Sequence, residues 1–365
     1  MAKYIYQYSS WPDFTWDEKV VQPILGKVRH LQGKIFGQVS ALGFLIKEET
    51  LLSNLTLDVV KSSEIEGEIL NYEQVRSSIA RKLGIESAGI DYPDRSVDGV
   101  VEMLLDATQN YNSPLNEERL FGWHAALFPT GRSGMYRIDV GRYRKEEMQI
   151  VSGAMGKEKV HYQAVPVKQV KFEMDRFLDW FNANTEIDMV IKSAIAHFWF
   201  IIIHPFDDGN GRIARALSDL LLARSDNSSL RFYSLSNQIL LERKVYYDIL
   251  QKVQHNYGDI TIWIVWFLKS LYRALKKSEQ TIEKVLYKAD FWDKHKNTEL
   301  NSRQRVMLNK LLDGFEGKLK TSKWAKITRC SQDTALRDIK DLIEKRILRQ
   351  DQSGGRSTNY ELEDS

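Results

Sequence analysis

The segment His204-Pro205-Phe206-Asp207-Asp208-Gly209-Asn210-Gly211-Arg212-Ile213-Ala214-Arg215 sets an imidazole, carboxylates, two glycines and two guanidinium groups close together after an apolar run. His204 is the side chain there whose ordinary pKa lies near neutrality, so it can take a proton from an attacking hydroxyl. Gly209 and Gly211 carry no Cβ, which lets the backbone turn sharply and bring its N–H groups close to an anion. The apolar residues Ile213, Ala214, Ala216, Leu217 and Leu220 predict a helix opening just after them, and a glycine-rich turn at a helix start is an anion site. Asp208 is a hard oxygen ligand suited to a magnesium ion shared with phosphates. Arg212 and Arg215, three residues apart, face one side of the helix and can hold two phosphates. Together these residue types suit a nucleoside polyphosphate. Each alone has an ordinary use: a histidine after Ile201-Ile202-Ile203 packs in many cores, and Asp-Gly-Asn-Gly is common turn chemistry.

The order of the residues says more than any one of them. It resembles the signature of the Fic family of adenylyl-transferring enzymes, His-x-Phe-x-(Asp/Glu)-Gly-Asn-Gly-Arg-x-x-Arg, and every fixed position is matched. The resemblance implies that His204 activates a target hydroxyl and that Asp208 binds magnesium with the α- and β-phosphates. It implies that Asn210 contacts the α-phosphate and that Gly209 and Gly211 form the anion hole. Arg212 is implied to contact the phosphates, and Arg215 to hold the γ-phosphate and so set which phosphate is attacked. Phe206 belongs to the same nucleotide-binding segment and is implied to anchor its loop in the core. Family members that act as kinases depart from the pattern in the glycine stretch; both glycines stand here, which favours AMP transfer.

A second segment sharpens the reading. Ser62-Ser63-Glu64-Ile65-Glu66-Gly67 resembles the family's inhibitory pattern, (Ser/Thr)-x-x-x-Glu-(Gly/Asn), and lies N-terminal to the catalytic motif, as in the class with an N-terminal inhibitory helix. Leu52, Leu55, Val59 and Val60 predict a helix with Ser62 and Glu66 one turn apart and Gly67 as its stop. If Glu66 pairs with Arg215, it takes the cation that would receive the γ-phosphate, and inhibition acts on geometry more than on affinity.

Between the motifs, Val97 to Tyr111 and Asn116 to Phe128 read as helices, the second with acids in its first turn where the helix dipole favours them. Met148 to Val151 and Val160 to Val165 read as a β-hairpin across a loop with Gly and Lys. The resemblance makes this hairpin a flap that pairs with a target segment as an added strand. His161 and Tyr162 are flap residues with no chemistry assigned.

Elsewhere helical pattern dominates. Thr15-Trp16-Asp17-Glu18 is a candidate capping box, followed by apolar positions from Val20 through Leu42 in a long helix bent near Pro23. Further helices are predicted at Val167 to Asn182, Asp188 to Ile203, Ile239 to Gln254 and Thr261 to Ala289. Near the C-terminus, Asn301 to Leu312, Thr321 to Ile327 and Ser331 to Ile343 read as three helices. Ile347 to Gln350 and Asn359 to Leu362 read as two strands around Ser353-Gly354-Gly355-Arg356, which resembles a winged helix. The expected fold class is thus all-α, a mainly helical Fic fold with a β-hairpin flap, plus a small C-terminal winged-helix domain. The expected division is 1–96, 97–290 and 291–365.

Composition narrows the class. The 365 residues exceed the size at which one core stops growing. A single cysteine, Cys330, excludes an intramolecular disulfide, no His/Cys grouping has metal-ligand spacing, and no stretch predicts an export signal or a transmembrane helix. A cytoplasmic enzyme without a membrane partner is expected. The formal charge of +3 gives no general argument for nucleic acid. From Phe315 onward there are 11 Lys/Arg and 9 Asp/Glu, and Asp338 and Asp341 interleave with Arg337 and Lys340, which counts against phosphate binding by the winged helix.

The expected function is a protein adenylyltransferase using ATP and Mg2+ to modify a Tyr, Thr or Ser hydroxyl of a protein, itself included, with Glu66 holding it off at Arg215. The alternatives are a DNA-binding regulator whose Fic domain senses nucleotide or self-modifies, and a de-AMPylase in which Glu66 positions water. A homodimer is a further expected state.

Overall fold

The computed structural model describes residues 3–40, 43–85, 93–152, 159–351 and 358–363. The chain divides into two compact units, Met1–Glu279 and Gln280–Ser365. Among the described residues it is mostly helical, with three short two-stranded antiparallel sheets. No described helix is long and apolar enough to cross a membrane.

In the first unit the helices run α1 Glu18–Ser40, α2 Phe44–Ile65, α3 Tyr72–Leu83, α4 Arg95–Gln109 and α5 Glu117–Leu127. Two hairpins follow, β1 Arg132–Ser133 with β2 Tyr136–Arg137, and β3 Gln149–Ser152 with β4 Lys159–Gln163. Then come α6 Val167–Asn182, α7 Met189–Ile203, α8 Asn210–Asp226, α9 Leu235–Leu241, α10 Arg243–Val253 and the start of α11, Thr261–Lys294, whose residues after Glu279 belong to the second unit. Helix α7 is apolar nearly all round, and a helix without a polar face has to lie in the middle of a core; its residues from Val190 to Ile203 are all buried. Helix α8 packs along it and is buried from Ile213 to Ala223, so the loop joining the two leaves the centre of the unit. Helix α2 packs on α3, α4, α8 and α9 with Leu52, Leu55, Val59 and Ile65 buried.

Pro23 lies inside helix α1. Two expectations are corrected. Thr15 is no helix cap, because its backbone pairs with Gly258 and Ile260; Asp17 Oδ1 accepts the Lys19 N–H at 2.9 Å instead. The single helix expected from Ile239 to Gln254 is two, because Ser234 starts α9 early by capping the Asn237 N–H at 3.0 Å, and Glu242 ends it. The Glu242 carboxylate is taken by Arg273 at 2.6 and 2.5 Å.

The second unit holds α12 Ser302–Leu312, α13 Thr321–Thr328, α14 Gln332–Glu344 and strands β5 Leu348–Gln350 and β6 Tyr360–Leu362, paired antiparallel with Leu348 opposite Leu362. Leu319 bridges to Tyr360. Met307, Leu308, Trp324, Ala335, Ile339 and Leu342 fill its core. The loop Ser353-Gly354-Gly355-Arg356 expected between the strands lies outside the described residues, as do residues 153–158, which follow β3 in the sequence.

Candidate active site

Helix α7 ends at His204, whose φ of +52° puts it in the left-handed region, sparsely used by residues other than glycine. There His204 is half-buried and lines a cavity. Its Nδ1 lies 3.2 Å from the Ile201 carbonyl oxygen, a partner that only accepts, so Nδ1 carries the proton and Nε2 is the basic nitrogen. The His204 pKa is lowered to about 4, first by burial of the imidazole and then by the nearby Arg144 charge, against the opposing pull of the Ile201 hydrogen bond. At pH 7 the ring is therefore neutral and able to accept a proton.

The loop after it is held by its own side chains. The Asn210 side chain folds back on Phe206, accepting its N–H at 3.0 Å and donating to its carbonyl at 2.8 Å. Phe206 is fully buried, stacked on His124 at 4.3 Å between ring centres and edge-on to Phe121. No ligand in the cleft can touch that ring, so its part in nucleotide binding is to hold the loop. Phe206→Ala leaves a cavity under the loop and is expected to cost about 3–5 kcal/mol of stability, measured by denaturant unfolding.

Arg144 binds the loop from the other side. Its Nε donates to the His204 carbonyl at 2.8 Å and its N–H to the Pro205 carbonyl at 2.9 Å, while Nη2 donates to the Val165 carbonyl. Asp207 accepts the Asp139 N–H at 2.8 Å. Tyr162 of β4 donates to the Ile202 carbonyl at 2.6 Å, pinning the hairpin to the end of α7. These contacts tie the hairpin, the 139–144 segment and the catalytic loop into one body.

Asp208 accepts from the Ser133 hydroxyl and, at 2.6 Å, from the Gly209 N–H. Among the described residues no three His, Cys, Asp or Glu side chains group around a metal position. One carboxylate beside an arginine-lined cavity fits an ion such as magnesium, which takes one or two carboxylates and completes its shell with phosphate oxygens and water.

Gly209 sits at φ +79°, and a Cβ there would come within 3.0 Å of Phe128 and 3.1 Å of Leu127. At Gly211 a Cβ would stand 2.1 Å from Glu66 Oε1. The Glu66 carboxylate thus lies against the first turn of α8, in the space where the helix dipole and free N–H groups favour an anion.

Glu66 gets there because α2 ends on it. Gly67, at φ +86°, stops the helix, and the Glu66 and Gly67 N–H groups turn back to Ser63 and Glu64. Arg215, 2% exposed, donates from Nη2 to Glu66 Oε1 at 2.8 Å and from Nε to the Ser62 hydroxyl at 2.8 Å. Its Nη2 also reaches the Ser62 carbonyl at 2.8 Å. Ser62, Glu66, His204, Gly211 and Arg215 are therefore gathered in one place from two distant segments. Arg212 is held by Glu68 at 2.6 Å and lies 5.0 Å from the centre of the Phe128 ring.

Two cavities meet at Glu66. One, about 550 Å³, lies beside His204 and Gly211, under Ile150 and Tyr162 of the hairpin and against Tyr246, Tyr247 and Leu250 of α10. The other, about 690 Å³, is lined by Arg95, Arg132, Ser133, Asp208, Arg212 and both glutamates. The first offers aromatic and apolar walls suited to a base; the second offers guanidinium and hydroxyl groups suited to phosphate.

Residues 114–222, which include this loop, match the Fic/DOC family model. The chain carries a Fic domain. Residues 4–85 match a further model described as a domain of unknown function, DUF4172. The chain is 29% identical over 224 residues to a protein adenylyltransferase Fic of Culex quinquefasciatus, covering 60% of this chain and 40% of that one. It is 25% identical over 263 residues to a protein adenylyltransferase Fic of Nematostella vectensis, covering 70% and 55%. The chain thus spans less than two thirds of those relatives. In fold it is similar to a Fic family protein from Desulfovibrio desulfuricans, with a TM-score of 0.54, 21% identity and coverage of 94% and 95%. Fic-1 from C. elegans gives 0.52 at 21% identity and 74% of each chain.

Sequence reasoning missed Arg144, Ser133 and Glu68. Arg144 lies in a loop and Ser133 in the two-residue strand β1, and the catalytic-motif residues they bind, His204 and Asp208, are 60 and 75 residues away, so no local pattern marks them. Glu68 follows the inhibitory motif and reads as one more surface acid.

Proposed function

We propose that this protein transfers AMP from ATP to a Tyr, Thr or Ser hydroxyl of a protein, and that Glu66 holds it off by occupying Arg215. The observation that carries this reading is the Glu66 carboxylate, 2.8 Å from a buried guanidinium and lodged against Gly211 beside His204. A carboxylate there takes the place of a phosphate. With Glu66 withdrawn, the base of ATP has the aromatic cavity, its phosphates have the first turn of α8, and Arg215 is free for the γ-phosphate. His204 Nε2 takes the proton of the target hydroxyl as its oxygen bonds to the α-phosphorus, and the bond to the bridging oxygen breaks, releasing pyrophosphate. When bound with ATP, magnesium at Asp208 neutralises phosphate charge. Most of the acceleration comes from alignment and electrostatics, as in phosphoryl transfers generally. The two-stranded β3–β4 sheet offers an edge on which a target segment can add as a strand. Transfer of label from α-labelled ATP by the Glu66→Gly protein, with and without His204, tests the reading.

A second role is supported in the second unit. Asp338, whose place among the cations of α14 argued against phosphate binding, is turned inward, held by Arg303 at 2.7 and 3.0 Å and by Asn301 at 2.8 Å. Asp341 is tied to Gln304 and Lys345, each at 2.7 Å. Arg337 and Lys340 are exposed on α14, and Lys326 and Arg329 are exposed in and just after α13. These groups suit duplex DNA, with α14 toward the bases and the cations toward phosphates. In a gel shift with genomic fragments, Arg337→Glu with Lys340→Glu is expected to weaken binding at least tenfold and to flatten its salt dependence. An unchanged shift contradicts this role.

A further inference from the structure

Residues 4–8 run past the base of the β3–β4 hairpin before α1 begins. The segment is held in a turn: the Tyr4 N–H donates to the Gln7 side-chain oxygen at 2.8 Å, and the Gln7 N–H to the Tyr4 carbonyl at 2.9 Å. From that turn it attaches to two walls of the site. The Ile5 N–H donates at 2.7 Å to the carbonyl of Gln254, just past the end of α10, and Ile5 is buried. The Tyr6 hydroxyl donates at 3.3 Å to the carbonyl of Ala164, just past the end of β4. The Tyr4 ring stacks on His255 at 4.8 Å between ring centres and stands edge-on to Tyr162 of β4 at 5.2 Å. Aromatic pairs of this geometry contribute beyond the area they bury. Farther along, Trp11 Nε1 donates to Glu173 of α6 at 2.9 Å.

The two elements so joined are opposite walls of the aromatic cavity beside His204. His161 and Tyr162 line it from the hairpin, and Leu250, Gln251 and Gln254 from α10 and its end. Gln254 carries the link across. It is 4% exposed, its carbonyl is held by Ile5, and its Nε2 donates to the His161 carbonyl at 2.7 Å. A two-stranded sheet is marginal alone, so the place of β4 depends on what grips it. Arg144 and Tyr162 fix it to the catalytic loop and the end of α7. The N-terminal segment fixes it to α10.

We infer that residues 4–8 form a strap that clamps β4 to α10 and so sets the spacing of the walls that take the base of the nucleotide, with Tyr4 and Tyr6 as its positioning residues. The inference rests on the adenylyl-transfer reading above for what the cavity holds. It gives a segment outside the Fic domain, residues 114–222, a part in binding ATP. Neither tyrosine lines the cavity, so each acts through Tyr162, His255 or Ala164 and not by touching the nucleotide. Walls already held at the right spacing accept a flat base without a further cost in ordering. Loss of the strap then weakens the hold on the base and leaves the groups of α8 as they are.

The test uses the full chain carrying Glu66→Gly, titrated by calorimetry with ATP and magnesium and, separately, with tripolyphosphate, which has the phosphates and no base. Tyr4→Ala with Tyr6→Ala is expected to weaken ATP about tenfold and to leave tripolyphosphate within about twofold. Tyr4→Phe with Tyr6→Phe keeps both rings and is expected to bind ATP as the parent does. Without nucleotide, the backbone amides of β4 are expected to exchange with deuterium at least about tenfold faster in the alanine pair and not in the phenylalanine pair. Tyr4→Leu alone, at a half-buried position, is expected to weaken ATP about threefold and carries the test if the alanine pair does not fold. The inference is overturned if ATP binding does not change, if ATP and tripolyphosphate weaken together, or if exchange in β4 does not rise. Failure of the adenylyl-transfer reading shows separately, as absence of α-label transfer by Glu66→Gly with both tyrosines in place. Transfer by that protein, together with unchanged ATP binding in the alanine pair, sinks the strap alone.

Discussion

Glu66→Gly is expected to raise AMP transfer by roughly tenfold to a hundredfold over the unaltered chain, with a smaller change in ATP affinity. The size follows from what the carboxylate does. Breaking a fully buried ion pair by removing one partner costs about 3–5 kcal/mol, but Glu66 is 30% exposed and the pair is partly screened. A bias of about 1–3 kcal/mol between the closed and nucleotide-aligned arrangements is reasonable, and each 1.4 kcal/mol is a factor of ten in rate. Arg215 keeps its bonds to Ser62 in the variant, so the guanidinium stays in place and only its anion changes. On the proposed reading, ATP reaches the aromatic cavity in both proteins. What changes is whether Arg215 can take the γ-phosphate and turn the α-phosphorus toward His204.

The second large effect is at His204. In the Glu66→Gly background, His204→Ala is expected to retain ATP binding in equilibrium titration and to lose transfer by at least a hundredfold, the range over which general bases act. Among the described residues the imidazole's hydrogen bond goes to the Ile201 carbonyl and to neither the glycine turn nor the arginines, so its loss leaves the anion-binding groups of the site in place. Its depressed pKa has a further consequence. A base works in its unprotonated form, so its contribution is complete at pH 7 and fades only as the pH falls through about 4, well below the ordinary histidine value. If transfer persists without the imidazole, the proton is taken elsewhere.

Much of this arrangement was legible before any coordinates. Helix α7 is apolar nearly all round, so its burial follows from its composition, and His204 stands where that apolar run stops. The glycine, serine and glutamate of the second segment carry the end of α2, because only a residue free of Cβ strain sits easily at φ +86°. The pairing of Glu66 with Arg215 joins positions 149 residues apart, and it was reached through the resemblance, since no local rule could reach it.

What stayed hidden is of another kind. Asp338 and Arg337 are neighbours in the chain, yet one is 6% exposed and bound to Arg303 while the other faces solvent, and a count of charges along α14 does not distinguish them. Thr15 had the spacing of a cap, and a backbone bridge to the 258–260 segment claimed it first. Glu68 and Arg144 act on groups brought near by tertiary packing. Spacing rules see one element at a time, and these residues matter through two.

The most direct measurement incubates the unaltered chain and Glu66→Gly, each with ATP labelled at the α- or the γ-position and with magnesium, and reads label retained on protein. The expected result is strong incorporation of α-label by Glu66→Gly, little by the unaltered chain, and γ-label on neither. Equal α-label on both proteins, or retention of γ-label, contradicts the account.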